Sequence, residues 1–173
     1  MSASNRASYL SAAPQCPRPE ASTPVPSLLP YIDFFSVQFY NNPSCQLGLS
    51  SQSTAINEGF FTSLQEWSND ILAVQPAGSG SSSWIRRTTG SFVDINNGIA
   101  SPRLLIGTPA FSRAGTGYVD VPMYQTILQR VKGMNLPNLA GSMFWDGAYQ
   151  EVIATVVNGV NSTFTQIVKQ MLG

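Results

Sequence analysis

An α/β fold of about four strand–helix units with parallel strands is what this sequence predicts, and three observations carry it. Short runs dense in aliphatic and aromatic residues alternate four times with amphipathic stretches. The short runs are apolar nearly throughout rather than at every second position, which is the pattern of strands buried on both faces. The chain has 173 residues, whereas a closed barrel of eight strand–helix units takes about 250. Parallel strands joined by crossover helices are therefore expected, in a partial barrel rather than a complete one.

Each element has its own signal. Residues 8–13 (SYLSAA) form a short apolar strand, stopped by the Pro14-Gln15-Cys16-Pro17 turn. The proline-rich stretch from Pro17 to Pro30 leaves room only for a short helix near Ser27-Leu28-Leu29. Residues 31–40 (YIDFFSVQFY) are rich in aromatic and β-branched residues and end at Asn41-Asn42-Pro43, the strongest strand signal in the chain. From Glu58 to Leu72, Phe60, Leu64, Trp67 and Ile71 fall at helical spacing. Low-complexity sequence around Pro76–Gly80 and Ser81-Ser82-Ser83 marks 76–100 as a flexible surface insertion.

Residues 103–110 (RLLIGTPA) predict another strand. Pro122 sits where a helix would start, Tyr124, Ile127, Leu128 and Val131 repeat with the helical period, and Gly133 is a stop. Residues 139–145 (LAGSMFW) predict a fourth strand. Beyond Ala148, Val152, Ile153, Val156, Val157, Val160, Phe164, Ile167, Val168 and Met171 predict one or two amphipathic helices with a break at Gly159.

Composition removes several kinds of chemistry. Nine basic and nine acidic residues give zero net charge. Phosphate neutralisation needs clustered Lys and Arg, and only Arg86-Arg87 form a basic pair, so nucleic-acid binding is not expected. With no histidine and two cysteines, a Ser-His-Asp triad, a His-ligated zinc and a Cys₄ metal site are all excluded. No metal or cofactor is expected. No apolar run approaches the ~18–20 residues of a membrane span, so no membrane partner is expected. Residues 1–14 hold no apolar stretch of signal-peptide length, which on its own predicts a cytosolic chain.

Four segments together resemble the plant- and fungal-type class III chitinases of glycoside hydrolase family 18. They are YLSAAPQCPRPE at 9–20, IDFFSVQFYNNPSCQ at 32–46, LLIGTPA with GTGYV across 104–119, and GSMFWDGAY at 141–149. They stand in family order at family-like spacing. The resemblance implies a (β/α)₈ TIM barrel of which residues 1–173 form the C-terminal half, from the fifth strand to the eighth. It implies an extracellular protein acting on chitin or chito-oligosaccharides. The family signature DxxDxDxE, which supplies the catalytic acid, does not occur in this sequence.

The family mechanism is substrate-assisted: a signature Glu protonates the glycosidic oxygen, and the sugar's own N-acetyl carbonyl attacks the anomeric carbon. With that Glu absent, no residue here is assigned as catalytic and the chain is expected to be inactive or nearly so. Asp146 is a poor substitute because it follows the wrong strand. The resemblance does assign substrate-binding residues. Gln38 and Tyr40 lie two apart on a strand and so face one way; a phenol can donate to an acetamido oxygen, and an amide can donate and accept. Asn41 occupies a position that some relatives fill with a sugar-contacting acidic residue. Trp145, at the end of the last strand, would form the floor of the cleaved-sugar subsite, its flat apolar face against a pyranose ring. Trp67 and Trp84 read as core or surface residues.

The family pairs the positions of Cys16 and Cys45 as a disulfide, worth about 3–4 kcal/mol by loop closure; two free thiols are the cytosolic alternative. Asn161-Ser162-Thr163 is an N-glycosylation sequon. The missing leader and these marks of secretion are reconciled if Met1 lies inside a longer reading frame. A non-catalytic chitin-binding or inhibitor protein is the rival reading, and a fragment that binds nothing is a third. An opened barrel would expose two unpaired strand edges, near Tyr9 and Phe144, inviting self-association.

Overall fold

The computed structural model of the chain describes residues 9–28, 32–50, 55–73 and 102–173. Four strands, β1 (Ser11–Ala12), β2 (Phe34–Gln38), β3 (Arg103–Pro109) and β4 (Leu139–Trp145), lie side by side in sequence order, every pair parallel. Helix α1 (Val25–Leu28) follows β1, α2 (Glu58–Ala73) follows β2 and α3 (Val121–Gly133) follows β3. The predicted insertion at 76–100 lies outside the described residues.

One face of the sheet is sealed by helices. The four residues that predicted α2 (Phe60, Leu64, Trp67 and Ile71) are all fully buried, as are Phe35, Val37 and Phe39 of the β2 segment. Their rings interlock: Phe39 meets Phe60 edge-on at 4.9 Å between centroids, and Phe35 lies 6.4 Å from Trp67. Burial of each such side chain contributes about 1.5–3 kcal/mol. Helix α3 starts at Asp120, whose carboxylate accepts from the Met123 N–H at 2.9 Å, with Pro122 in the first turn where its missing N–H costs nothing. It buries Tyr124, Ile127, Leu128 and Val131, and the Tyr124 hydroxyl is bonded to that of Ser142 on β4.

The other face is open. Burial alternates along β2: Phe34, Ser36 and Gln38 are half-buried between fully covered neighbours. Leu105 and Met143 share this face by register and are also half-buried. Along β3, by contrast, every position but Leu105 is buried, so the expectation of burial on both faces holds for β3 and only for the helix side of β2. Among the described residues the four strands do not close on themselves.

The expected cysteine pairing is present. Cys16 and Cys45 form a disulfide with Cα atoms 5.9 Å apart, joining the turns that follow β1 and β2. The Cys16 carbonyl also accepts from the Ser63 hydroxyl at 2.7 Å and the Trp67 indole N–H at 3.2 Å, both on α2.

The segment after β4 departs from expectation. Helix α4 (Tyr149–Val152) is a single turn. It is followed by an antiparallel hairpin, β5 (Ala154–Val157) and β6 (Val160–Thr163), where amphipathic helix was predicted. Its two-residue turn is Asn158-Gly159, at φ 53° and 81°, the all-positive geometry whose twist suits a tight hairpin. Valines here satisfy both periods, helical through Val152, Val156 and Val160, extended through the pairing of Val157 with Val160. The Asn-Gly pair decides between them. Gly159 does mark a break, but one between strands. Helix α5 (Phe164–Leu172) then opens on a capping box between Thr163 and Gln166. It seats Phe164 within 5.5 Å of the rings of both Tyr124 and Phe144.

Candidate functional site

The C-terminal ends of the parallel strands gather the residues singled out from the sequence. Gln38 pairs with Gly107, and Gly107 with Met143; two residues further on, Pro109 pairs with Trp145. Side chains two apart on a strand share a face, so Gln38 and Trp145 project from the open face, Trp145 one step nearer the rim. Tyr40 continues the β2 alternation just past the strand, its neighbour Phe39 buried on the helix side. Sequence period alone placed Gln38 with Tyr40. Bringing Trp145 to them required the register across β3.

The rim is wired from the backbone outward. Gln38 donates its amide N–H to the Ala13 carbonyl, and the Gln38 backbone N–H reaches the Pro14 carbonyl at 2.8 Å. Its side chain is thus fixed across to the β1 segment. Tyr40 is 8% exposed, and that burial raises its phenol above the ordinary tyrosine range. Like any tyrosine hydroxyl at neutral pH it is protonated and can donate. The chain turns sharply next, with Asn41 at φ 58°. Asn41 is exposed, and its side-chain oxygen accepts from the Thr116 N–H at 2.8 Å. Its backbone N–H meets the Thr116 carbonyl at 3.1 Å. The Thr116 hydroxyl also donates to Gln46 at 2.8 Å. Asn41 thus clamps the loop after β3 against the turn after β2, a task its sequence context did not suggest. A side chain at Gly115 would collide with it, since a Cβ there would stand 2.8 Å from the Asn41 oxygen.

Trp145 is 57% exposed, and its backbone carbonyl accepts from the Ala110 N–H at 2.8 Å. The loops leaving β3 and β4 are therefore tied together beside it. From those two loops Phe111 and Tyr149 stack, ring centroids 4.0 Å apart and planes 27° from parallel. The sequence reading had not paired them. The signal available was an aromatic residue shortly after each strand end.

Most carboxylates have structural work elsewhere. Asp33 is buried at the opposite end of β2 and accepts from the Leu10 N–H at 2.8 Å. Glu20 caps the turn at Ser22-Thr23, Glu58 pairs with Arg130 at 2.7 Å, and Asp70 pairs with Arg18. Asp120 caps α3. At the rim itself stands Asp146, exposed, its oxygen accepting from the Ala148 N–H at 3.0 Å. Among the described residues no group of three or more Cys, Asp or Glu could hold a metal ion. Asn161 is exposed on β6 opposite Val156.

No family model matches the chain. Among curated proteins, endochitinase 3 of Metarhizium robertsii is 33% identical over 153 residues, which is 84% of this chain and 37% of that protein. Acidic endochitinase SE2 of Beta vulgaris is 28% identical over 86% of this chain and 39% of its own length. The chain thus spans less than two-fifths of the length of these relatives. Among solved structures, a xylanase–α-amylase inhibitor protein superposes with a TM-score of 0.56 at 21% identity, covering 84% of this chain and 41% of that one. That likeness shows the fold.

Proposed function

This chain is a relative of the fungal and plant endochitinases, with the fold of the family 18 chitinase-like proteins, and from that premise we propose that its rim binds N-acetylglucosamine units of chitin. One observation carries the reading: Gln38 and Trp145 lie on one face at one end of a parallel sheet, and Tyr40 follows Gln38 by two residues just past the end of its strand. The exposed indole of Trp145 offers a flat apolar surface to a pyranose ring. Tyr40, its phenol protonated at neutral pH, donates to the acetamido oxygen, while Gln38 and Asn41 frame the opening. Asn41 has its oxygen committed to Thr116, so its contribution to sugar comes from the amide nitrogen. The family resemblance assigns sugar-orienting roles to these residues, and the DxxDxDxE segment does not occur among the 173 residues; together these support binding without turnover by this chain.

Retention on chitin beads tests this. The chain is expected to be retained, with Trp145→Ala lowering affinity about tenfold and Tyr40→Phe by less, in line with the loss of one aromatic platform or one hydrogen bond. Equal retention of the chain and Trp145→Ala would refute the rim; no retention at all would leave the fragment reading.

Secretion is part of the same proposal, supported by the Cys16–Cys45 bridge and the exposed Asn161. Expressed through a eukaryotic secretory pathway, the chain gains mass that peptide N-glycosidase removes and that Asn161→Gln lacks. Its absence in intact-mass spectra would withdraw the glycan. Among the described residues β1 pairs only with β2 and β4 only with β3; these unpaired edges favour self-association of the isolated chain.

A further inference from the structure

The stacked pair Phe111–Tyr149 has no part in the core. Tyr149 is 40% exposed and Phe111 half-buried, and the hydrophobic cluster beneath the sheet includes neither. Both sit on loops that leave the C-terminal ends of β3 and β4, the end that carries Trp145. Two links fix them to it: the Ala110 N–H bonds the Trp145 carbonyl at 2.8 Å, and the Tyr149 N–H bonds the Asp146 carbonyl at 3.3 Å. Asp146 stiffens the intervening turn through Ala148. Phe111 follows Pro109 by two residues, and Pro109 pairs with Trp145. The result is a second exposed aromatic surface beyond the first.

We propose that Phe111 and Tyr149 form a second sugar-stacking platform, which takes a further unit of the same β-1,4-linked N-acetylhexosamine chain whose first unit rests on Trp145. This rests on the rim reading above and adds a direction to it, with the polymer running from Trp145 outward over the loops after β3 and β4. Stacking suits the task because a pyranose presents an apolar C–H face, and a ring already braced by a second ring loses little freedom when it receives one. Phe111 is the brace. Tyr149 keeps an outer face, and its phenol can bond a sugar hydroxyl.

The test is length dependence. Affinities of the chain for N-acetylglucosamine and for chito-oligosaccharides of two to six units are measured by calorimetry, alongside Trp145→Ala, Tyr149→Ala and Tyr149→Phe. Tyr149→Ala is expected to leave unchanged the affinity for a single N-acetylglucosamine unit, which occupies Trp145 alone; this also certifies its fold. The same variant is expected to weaken the hexamer about five- to tenfold. Tyr149→Phe restores most of that loss, and Trp145→Ala weakens every length. Equal loss at all lengths in Tyr149→Ala would make the pair a structural brace, and no loss at any length would remove it from the site; both overturn the platform while leaving the rim intact. A parent chain that binds no oligomer sinks both readings together.

Discussion

Incubated with a fluorogenic chito-oligosaccharide, the 173-residue chain is expected to release fluorophore about 10²- to 10⁴-fold more slowly than a family enzyme carrying its general acid, the usual worth of that proton donor. The reason is placement. A glycosidic acid must reach the leaving oxygen above the sugar that Tyr40 and Trp145 are proposed to hold. Asp33 is buried at the far end of β2, while Glu58 and Asp70 are engaged with Arg130 and Arg18 on the helix layer. Asp146 is the carboxylate that directly follows Trp145, and it is turned into its own loop by the Ala148 N–H. Replacing it, as Asp146→Asn, should therefore leave any residual rate unchanged. Turnover at ordinary enzyme rates, with contaminating chitinase excluded, would overturn the assignment of this chain to binding.

The second large effect concerns the disulfide. The double variant Cys16→Ser/Cys45→Ser should lose about 3–4 kcal/mol of unfolding free energy, because the bridge closes a loop with a sequence separation of 29. Total stabilities of single domains run to about 5–15 kcal/mol, so the loss moves the urea midpoint far enough to measure without ambiguity. Three features make the full value plausible in physical terms. Both cysteines are buried, at 0% and 3% exposure, so serine places a hydroxyl in apolar surroundings. The bridge joins the ends of two neighbouring strands, one of them only two residues long. The Cys16 carbonyl anchors Ser63 and Trp67, so any shift of Cys16 is passed to the centre of the core. Trp67 fluorescence follows the loss directly. A midpoint change equivalent to less than about 1 kcal/mol would show that packing alone holds β1 in place.

Much of this architecture was legible from local pattern, and the parts that were not share a cause. Helix α2 could be read because its four apolar residues fit one period and no other. The faces of Gln38 and Tyr40 could be read because strands alternate. Strand β2 stops at Gln38 rather than Tyr40 because the chain reaches a left-handed turn at Asn41, and asparagine tolerates that conformation without announcing it. The β5–β6 hairpin was missed because valine spacing fits helix and strand alike, while of the decisive Asn158-Gly159 pair only Gly159 was read, and as a break. The Asn41–Thr116 clamp spans 75 residues, and the Phe111–Tyr149 stack depends on two strands lying adjacent. Contacts of that kind belong to register, which no local window contains.

The hairpin has a practical consequence. Because it doubles back, the chain enters and leaves it at facing positions, Ala154 opposite Thr163. A fluorophore attached at an exposed residue beside the turn, such as Val160 replaced by cysteine, would keep the Asn158-Gly159 turn and leave Phe164 seated between Tyr124 and Phe144. That makes the tip a tether point for immobilising the molecule while its sugar contacts are measured.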